Sequence, residues 1–303
     1  MTTVQTKVLM PEKKKKVTLA QVILVTIIML FVLICVLPII NVASVSLSSK
    51  SAILRGDVAF LPVEPTINAY KAIVRDASMI RSLFYTIELT VIYTAMAMVM
   101  TILLAYPMTK KRLRGRRLLS LFVIFTMYFN GGAIPTYLTI KNYGLINSMW
   151  SLILPGLIST YNMIICRTYM TNSIPDEMYE AAQIDGCTPW KYFLSIVTPL
   201  CKPILAVLTL YYGVAKWNDY YTAMIYLRDD TLMPLTIVMK EILIQNKVDM
   251  TQIGDASNLA KLQGMSELLK YSTIVVASVP VMLLYPLVQK HLVKGVMIGA
   301  VKG

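Results

Sequence analysis

From Lys16 to Lys50 the chain carries no charged side chain, and residues 17–40 are almost wholly apolar. A bilayer core demands about 20 such residues in one helix, because a backbone surrounded by hydrocarbon must bond to itself. The run is too long for the apolar part of a removable leader and lacks its small-residue cleavage pattern, so it reads as a retained membrane helix. The pattern recurs over residues 82–109, interrupted only by Glu88, then over 118–140 and 142–166, both uncharged apart from flanking Lys141. It recurs again over 192–215, which carries Lys202, Pro199 and Pro203, and over 271–289. The expectation is an all-α integral membrane protein with six transmembrane helices. Residues 17–290 form its membrane domain, between an N-terminal segment, 1–16, and a C-terminal tail, 291–303.

Composition agrees with this reading. Charged residues make up 15% of the 303, against roughly 25% in a typical soluble domain, and AVILMFWYC reach 56%. A soluble enzyme, a disordered chain and a collagen-like fibre are all excluded on this ground. The net charge of +13 would suggest nucleic acid in a soluble protein, but its placement says otherwise. Five basic residues, Lys7 and Lys13–Lys16, precede the first span, and six lie between Lys110 and Arg117. Lys290, Lys294 and Lys302 follow the last span. Basic residues beside spans mark the cytoplasmic side and contact anionic lipid headgroups. Both termini are therefore expected in the cytoplasm of a multi-pass cell-membrane protein, with no nucleic-acid partner. Residues 41–81 and 217–270 become external loops, the first with a short helix near Ile67–Arg75 and the second with an amphipathic stretch at Leu232–Ile244. Cys35, Cys166, Cys187 and Cys201 have no metal-type spacing, and His291 is the single histidine, so no Cys/His metal cluster can be built.

The loop expected on the cytoplasmic face between the fourth and fifth spans, residues 173–191, has the most legible local chemistry. Pro175 suits a first helical turn. Asp176, Glu177 and Glu180 place acids near the positive end of the helix dipole. Met178, Ala181, Ala182 and Ile184 supply a compact apolar stripe. Gly186 fits the left-handed position past a helix end, and Thr188-Pro189 reads as N-cap and first position of the next helix. A connector that merely rests on headgroups presents Lys and Arg; this one presents acids and small alanines, which favours a protein-docking surface.

Glu180-Ala181-Ala182, then Gly186, then Ile196 and Pro199-Leu200 resembles the EAA loop of binding-protein-dependent ABC importer permeases. The segment Phe129–Tyr137, Trp217-Asn218 and the ending Lys294–Gly303 resemble the carbohydrate branch. There they are similar to permeases of the LplC/YtcP type and to the second membrane subunit of the maltose importer. Cys187, where alanine is common, is the one departure within the loop. The resemblance implies a type I ABC importer fold in which Pro175–Asp185 is the coupling helix, seated in a cleft of a cytoplasmic ATPase. Glu180 would make a polar contact there, and Met178, Asp185 and Pro199 belong to the same coupling surface. Ala181, Ala182 and Gly186 would allow close approach and the sharp turn. Gly299, Val301, Lys302 and Gly303 would reach the ATPase interface. The partners so implied are a homologous second permease subunit, two ATPase subunits, an extracellular solute-binding protein and an oligosaccharide substrate.

No GxxxxGK[ST] phosphate loop occurs, so Mg-ATP would be held by the partner ATPases, with no cofactor and no catalytic or metal residues in this chain. Candidates for the substrate path are the polar and aromatic residues in or beside spans: Tyr85, Glu88, Tyr93, Tyr128, Asn130, Tyr211, Tyr212, Trp217 and Asn218. Two other classes compete. An ion-coupled secondary transporter would need matched broken helices and several intramembrane carboxylates, whereas only Glu88 is clearly intramembrane. The other class is a non-transporting membrane scaffold or a membrane enzyme, and an enzyme would need a convergent acid/base or metal constellation that one histidine and scattered acids do not offer.

Overall fold

The computed structural model describes residues 18–248 and 256–300, and every regular element among them is a helix. The first, α1 (Leu19–Ser46), contains no acid or base near either end, and its side chains from Leu19 to Ile40 lie bare. Only its last turn is buried: the Ser44 hydroxyl donates to the Phe60 carbonyl (2.8 Å) and Ser46 bonds Tyr70 (2.7 Å). Two short helices follow, α2 (Lys50–Arg55), closed by Gly56 at φ +74°, and α3 (Asn68–Arg75). The Glu64 carboxylate accepts from Ser49, Arg55 and Ser51 and folds this segment back on itself. Those bonds, Ser49's first, hold its carboxyl at about 2.

The central helix is α4 (Ala77–Thr109), 33 residues and about 50 Å long at 1.5 Å per residue. Asp76 caps it, its carboxylate accepting from the Ser78 and Met79 amides (2.9 and 3.2 Å). Met79, Ser82, Thr86, Leu89, Tyr93, Ala97, Thr101, Ala105 and Met108 are buried at steps of three and four residues, the periodicity of one helix face. That face carries hydroxyls as well as hydrocarbon, a point that matters below.

After a basic turn the chain runs through α5 (Arg116–Tyr128) and α6 (Ala133–Asn142), bent by 113° at the break. Gly132 has φ +91°, and its amide donates to the Asn130 side chain (2.9 Å), so Asn130 is a turn-former here. Next come α7 (Met149–Ile153), a non-helical stretch at 154–159, and α8 (Thr160–Ser173), capped by Ser159. The elbow follows as α9 (Asp176–Ile184) and α10 (Pro189–Tyr192). A π-helical turn at Phe193–Val197 leads into α11 (Thr198–Leu200) and α12 (Lys202–Trp217), with a 76° bend between Pro189–Leu200 and α12. Pro203 has no N–H to give the Pro199 carbonyl, which breaks the ladder at this point. The chain continues through α13 (Tyr221–Tyr226) and α14 (Leu235–Val248) to α15 (Ala256–Ala300), which contains Pro280 and Pro286. Thr86 of α4 receives the Leu235 amide that opens α14 (2.8 Å). The core lies where α4 packs against α8 and α12, and α15 closes the other side of α12.

Three helices are long and apolar enough to cross a bilayer, α1, α4 and Met265–Pro286 of α15, and each of the two bent pairs qualifies if read as one span. The sequence expectation is corrected in three places. The span expected over 118–140 is two helices at a steep angle, because Asn130-Gly131-Gly132 turns the chain. The span expected over 142–166 is not a continuous helix: Pro155 and Gly156 (φ +74°) interrupt it, and the helix that emerges, α8, is displaced to 160–173. Hydropathy reports only the cost of moving side chains into lipid, so an uncharged break is invisible to it. Residues 217–270, expected as a loop, are largely helical among the described residues, since α15 starts at Ala256.

The non-helical stretch at 154–159 lies beside the midpoint of α4, where side chains of α4 and α12 bond its backbone. Tyr93 donates to the Gly156 carbonyl (3.0 Å), and the Ser159 amide donates to Tyr212, whose hydroxyl also bonds Thr101 (2.7 Å). Lys216 completes the set. Its ammonium donates to the Leu152 carbonyl (2.7 Å) at the end of α7 and to the Asp219 carboxylate (2.9 Å), and lies 4.6 Å from the Tyr93 ring centre. The side chain is 6% exposed, and that of Asp219 20%. Removing one member of such a pair strands the other charge, at about 3–5 kcal/mol. Lys216→Met is therefore expected to lose about that much stability in detergent unfolding. The double substitution with Asp219→Asn should lose clearly less, and equal losses would show that the cost does not come from stranding the Asp219 charge.

Candidate functional site

The elbow is built by the residues that the sequence marked for it. Asp176 and Glu177 occupy the first turn of α9, directly after Pro175 at the cap. Gly186 adopts φ +71°, the left-handed conformation; the Cys187 amide donates to the Ala182 carbonyl (2.9 Å) and closes the helix. Thr188 caps α10 by accepting from the Lys191 amide (3.4 Å), with Pro189 at the first position. Pro175 itself is the cap rather than the first helical residue, and the helix is Asp176–Ile184 instead of Pro175–Asp185.

Packing divides the apolar stripe into two faces. Ala182 and Tyr179 turn inward, Ala182 to 8% exposure, against the ends of α4, α8 and α10. Met178, Glu180, Ala181, Ile184, Asp185 and Gly186 stay exposed, Ile184 at 87%. The exposed side of α9 thus places Ile184 beside Glu180, Ala181 and Asp185. Pro199 is exposed too, on α11. A cleft of about 540 Å³ lies beside this surface, bordered by Tyr106, Lys110, Arg112, Asp176, Tyr179 and Glu180. Lys111 pairs with Asp176 across it (3.1 Å). Burial lowers the Lys110 ammonium pKa below its usual value, and the Asp176 charge offsets part of that shift.

The substrate-path candidates fall into two groups. Tyr85, Tyr93, Tyr212 and Trp217 are buried inside this chain. Tyr93 and Tyr212 bond backbone and each other's neighbours as described, and the Trp217 indole donates to the Ala277 carbonyl (3.1 Å). Glu88, Tyr128, Asn130, Tyr211 and Asn218 are exposed, Tyr128 at 82%. The structure does not bring these five into one pocket. Asn218 alone lines a cavity of about 320 Å³, beside Trp217 and between α12, α14 and α15. Gly299 ends α15 with Ala300, and Val301, Lys302 and Gly303 lie outside the described residues, as do the basic residues of the N-terminal segment. Among the described residues no cluster of His, Cys, Asp and Glu could hold a metal. Lys216 and Asp219 are the polar residues that sequence reading missed. They sit just past the expected end of the fifth span, where a lysine reads as an interfacial flank. The available signal was their i, i+3 spacing, which lets opposite charges meet on one helical turn.

A bare first helix, a hydroxyl-bearing central helix, bent spans and an acidic elbow define a membrane permease component. Residues 89–298 match the family described as binding-protein-dependent transport system inner membrane component, and the chain belongs to that family. It is similar to the polygalacturonan/rhamnogalacturonan transport system permease protein YtcP of Bacillus subtilis (strain 168), with 38% identity over 91% of this chain and 95% of the relative. Protein LplC of the same organism is 37% identical over 89% of this chain and 90% of its own length. Among solved structures, a chain of a bacterial ABC transporter involved in the import of the acidic polysaccharide alginate superimposes with a TM-score of 0.80. It is 29% identical and covers 93% of this chain and 99% of its own.

An aspartate tolerates the left-handed region, and a Cβ on Gly186 would meet no atom within 4 Å. Gly186→Asp therefore displaces no neighbour, although its side chain strains the left-handed turn as well as altering the outward surface. Gly186→Asp and Glu180→Lys are each expected to insert normally and to abolish uptake by the assembled transporter; wild-type uptake in both would remove the elbow from the mechanism.

Proposed function

We propose that this chain is the membrane-spanning permease subunit of an ATP-driven, binding-protein-dependent importer of oligosaccharides. The observation that carries this reading is the outward face of α9, an acidic helix with an open isoleucine and a left-handed glycine, in a chain of this family. A homologous second subunit completes the pore, two cytoplasmic ATPase subunits hold and hydrolyse Mg-ATP, and an external binding protein delivers the sugar. This chain is then not itself an enzyme.

In this reading six spans cross the membrane: α1, α4, α5 with α6, α8, α10 through α12, and α15. Residues 17–290 make up that domain, both termini and the elbow face the cytoplasm, and residues 41–81 and 217–270 face outward. The elbow residues Met178, Glu180, Ala181, Ala182, Asp185 and Gly186, with Pro199, form the ATPase contact, and Gly299, Val301, Lys302 and Gly303 add the tail. Ala182 acts from behind, holding α9 to the body. Closure of the ATPase dimer moves α9, and the bend at Cys201 passes the motion into α12.

Exposed Glu88, Tyr128, Asn130, Tyr211 and Asn218 are the candidates left for sugar contact, because Tyr85, Tyr93, Tyr212 and Trp217 are spent on packing. Oligosaccharide is the substrate class supported by the relatives, which include a polygalacturonan/rhamnogalacturonan transport permease and a chain of an alginate importer.

Three experiments test this. In proteoliposomes holding the complete transporter, sugar uptake should require ATP and the loaded binding protein and should survive collapse of ion gradients by ionophores. Uptake abolished by ionophore with ATP present would favour an ion-coupled carrier. Binding of neutral against uronate oligosaccharides to the same binding protein then sets the substrate class. Orientation is read at Cys187, the one partly exposed thiol outside the spans; Cys166 and Cys201 are buried and Cys35 lies on α1. An impermeant maleimide should label it in inverted vesicles and not in intact cells, and the reverse pattern would put the elbow outside.

A further inference from the structure

The basic turn that follows α4 contains one lysine unlike its neighbours. Arg112, Arg114 and Arg117 are exposed and Lys111 reaches Asp176, but Lys110 folds back into the protein. Its ammonium lies 4.4 Å from the ring centre of Tyr179, 5.1 Å from Tyr106 and 5.4 Å from Tyr192. Those rings come from three elements: Tyr106 from α4, Tyr179 from the elbow helix α9 and Tyr192 from the start of the fifth span. Tyr179 and Tyr192 meet edge to face at 5.0 Å, and Tyr106 and Tyr192 are followed inward by Phe193, 4.8 Å from Tyr106. All three distances are within the roughly 6 Å over which a cation is attracted to a ring face, an attraction that grows as water is excluded.

The alternative tie between these elements is weaker. Lys111 and Asp176 form an ion pair whose side chains are 82% and 53% exposed, and such pairs contribute little. Without Lys110, α9 would be held to α4 mainly by hydrocarbon contact, which is non-directional and lets surfaces slide.

We infer that Lys110 is a positioning residue for energy coupling: its caged ammonium latches the elbow to the cytoplasmic end of α4, so that a displacement of α9 moves α4 as well as α12. The elbow has a covalent connection to α12 through α10, the π turn and α11, but reaches α4 only through space. A latch at Lys110 would make both central helices follow one input. This inference rests on the function proposed above and adds a specific route for force within it.

The test uses the complete transporter in proteoliposomes, reading uptake and ATP hydrolysis together. Lys110→Met, which keeps the length and removes the charge, is expected to leave assembly and stimulated hydrolysis in place while sugar moved per ATP falls roughly five-fold or more. Lys110→Arg keeps a cation that rings attract and should stay near wild type. Tyr179→Phe keeps the ring face and should also stay near wild type, whereas Tyr179→Leu should behave like Lys110→Met. A wild-type ratio of transport to hydrolysis in Lys110→Met would overturn the latch, as would equal failure of Lys110→Arg and Tyr179→Phe. Should Lys110→Met not assemble, the Tyr179 pair carries the same comparison. If the wild-type complex itself shows no ATP-driven uptake, the proposed function falls; if it does and these variants do not differ, only the latch falls.

Discussion

A backbone that leaves the helical ladder inside hydrocarbon must find partners within the protein, and this requirement organises the centre of the molecule. The stretch at 154–159 abandons helix beside the midpoint of α4. Its Gly156 carbonyl and Ser159 amide are answered by Tyr93 and Tyr212, while Lys216 holds the Leu152 carbonyl just before it, which brings α4 and α12 close to it and to each other. Thr101, bonded to Tyr212, fixes the second contact between the same two helices. Two of the hydroxyls on the buried face of α4 have a use of this kind: Thr86 opens α14 and Thr101 orients Tyr212.

At the other end of the spans the problem is mechanical. The elbow sits on a short helix with an acid-rich start, a left-handed stop and a proline-initiated restart, so its shape is fixed by local rules. The path from there to α12 is not a straight rod. The π turn at Phe193–Val197 inserts an extra residue, with the Thr198 hydroxyl donating to the Phe193 carbonyl five residues back (2.9 Å), and Pro203 adds the 76° bend. Insertions of this kind concentrate at functional sites. A jointed path of this sort delivers rotation as readily as translation.

Much of this was legible in the sequence, and the reason is the same in each case: where a feature is decided by residues adjacent in the chain, the sequence states it. Gly186, Thr188 and Pro189 set the elbow to within one residue, and the short helix expected near Ile67–Arg75 lies at Asn68–Arg75. What escaped was decided by residues far apart. Apolar composition concealed the break before α8, because its partners lie on α4 and α12. Lys216 reads as a flank until Leu152 and Asp219 are seen around it. Tyr93 and Tyr212 looked like sugar-stacking residues because an aromatic with a hydroxyl suits both a ligand and a backbone carbonyl; only packing distinguishes the two.

One feature of α1 bears on how the protein can be handled. From Leu19 to Ile40 the helix presents Val22, Leu24, Ile27, Phe31, Leu33 and Ile34 on every side, with no body of protein behind it. Apolar surface of this extent associates with whatever covers it. A micelle belt sized for the bundle around α4 and α12 leaves that rod uncovered, and two such rods in adjacent micelles would gather chains into mixtures of uneven size. Preparations in which a lipid disc or a companion subunit sheathes the first helix are the ones in which a single species should persist.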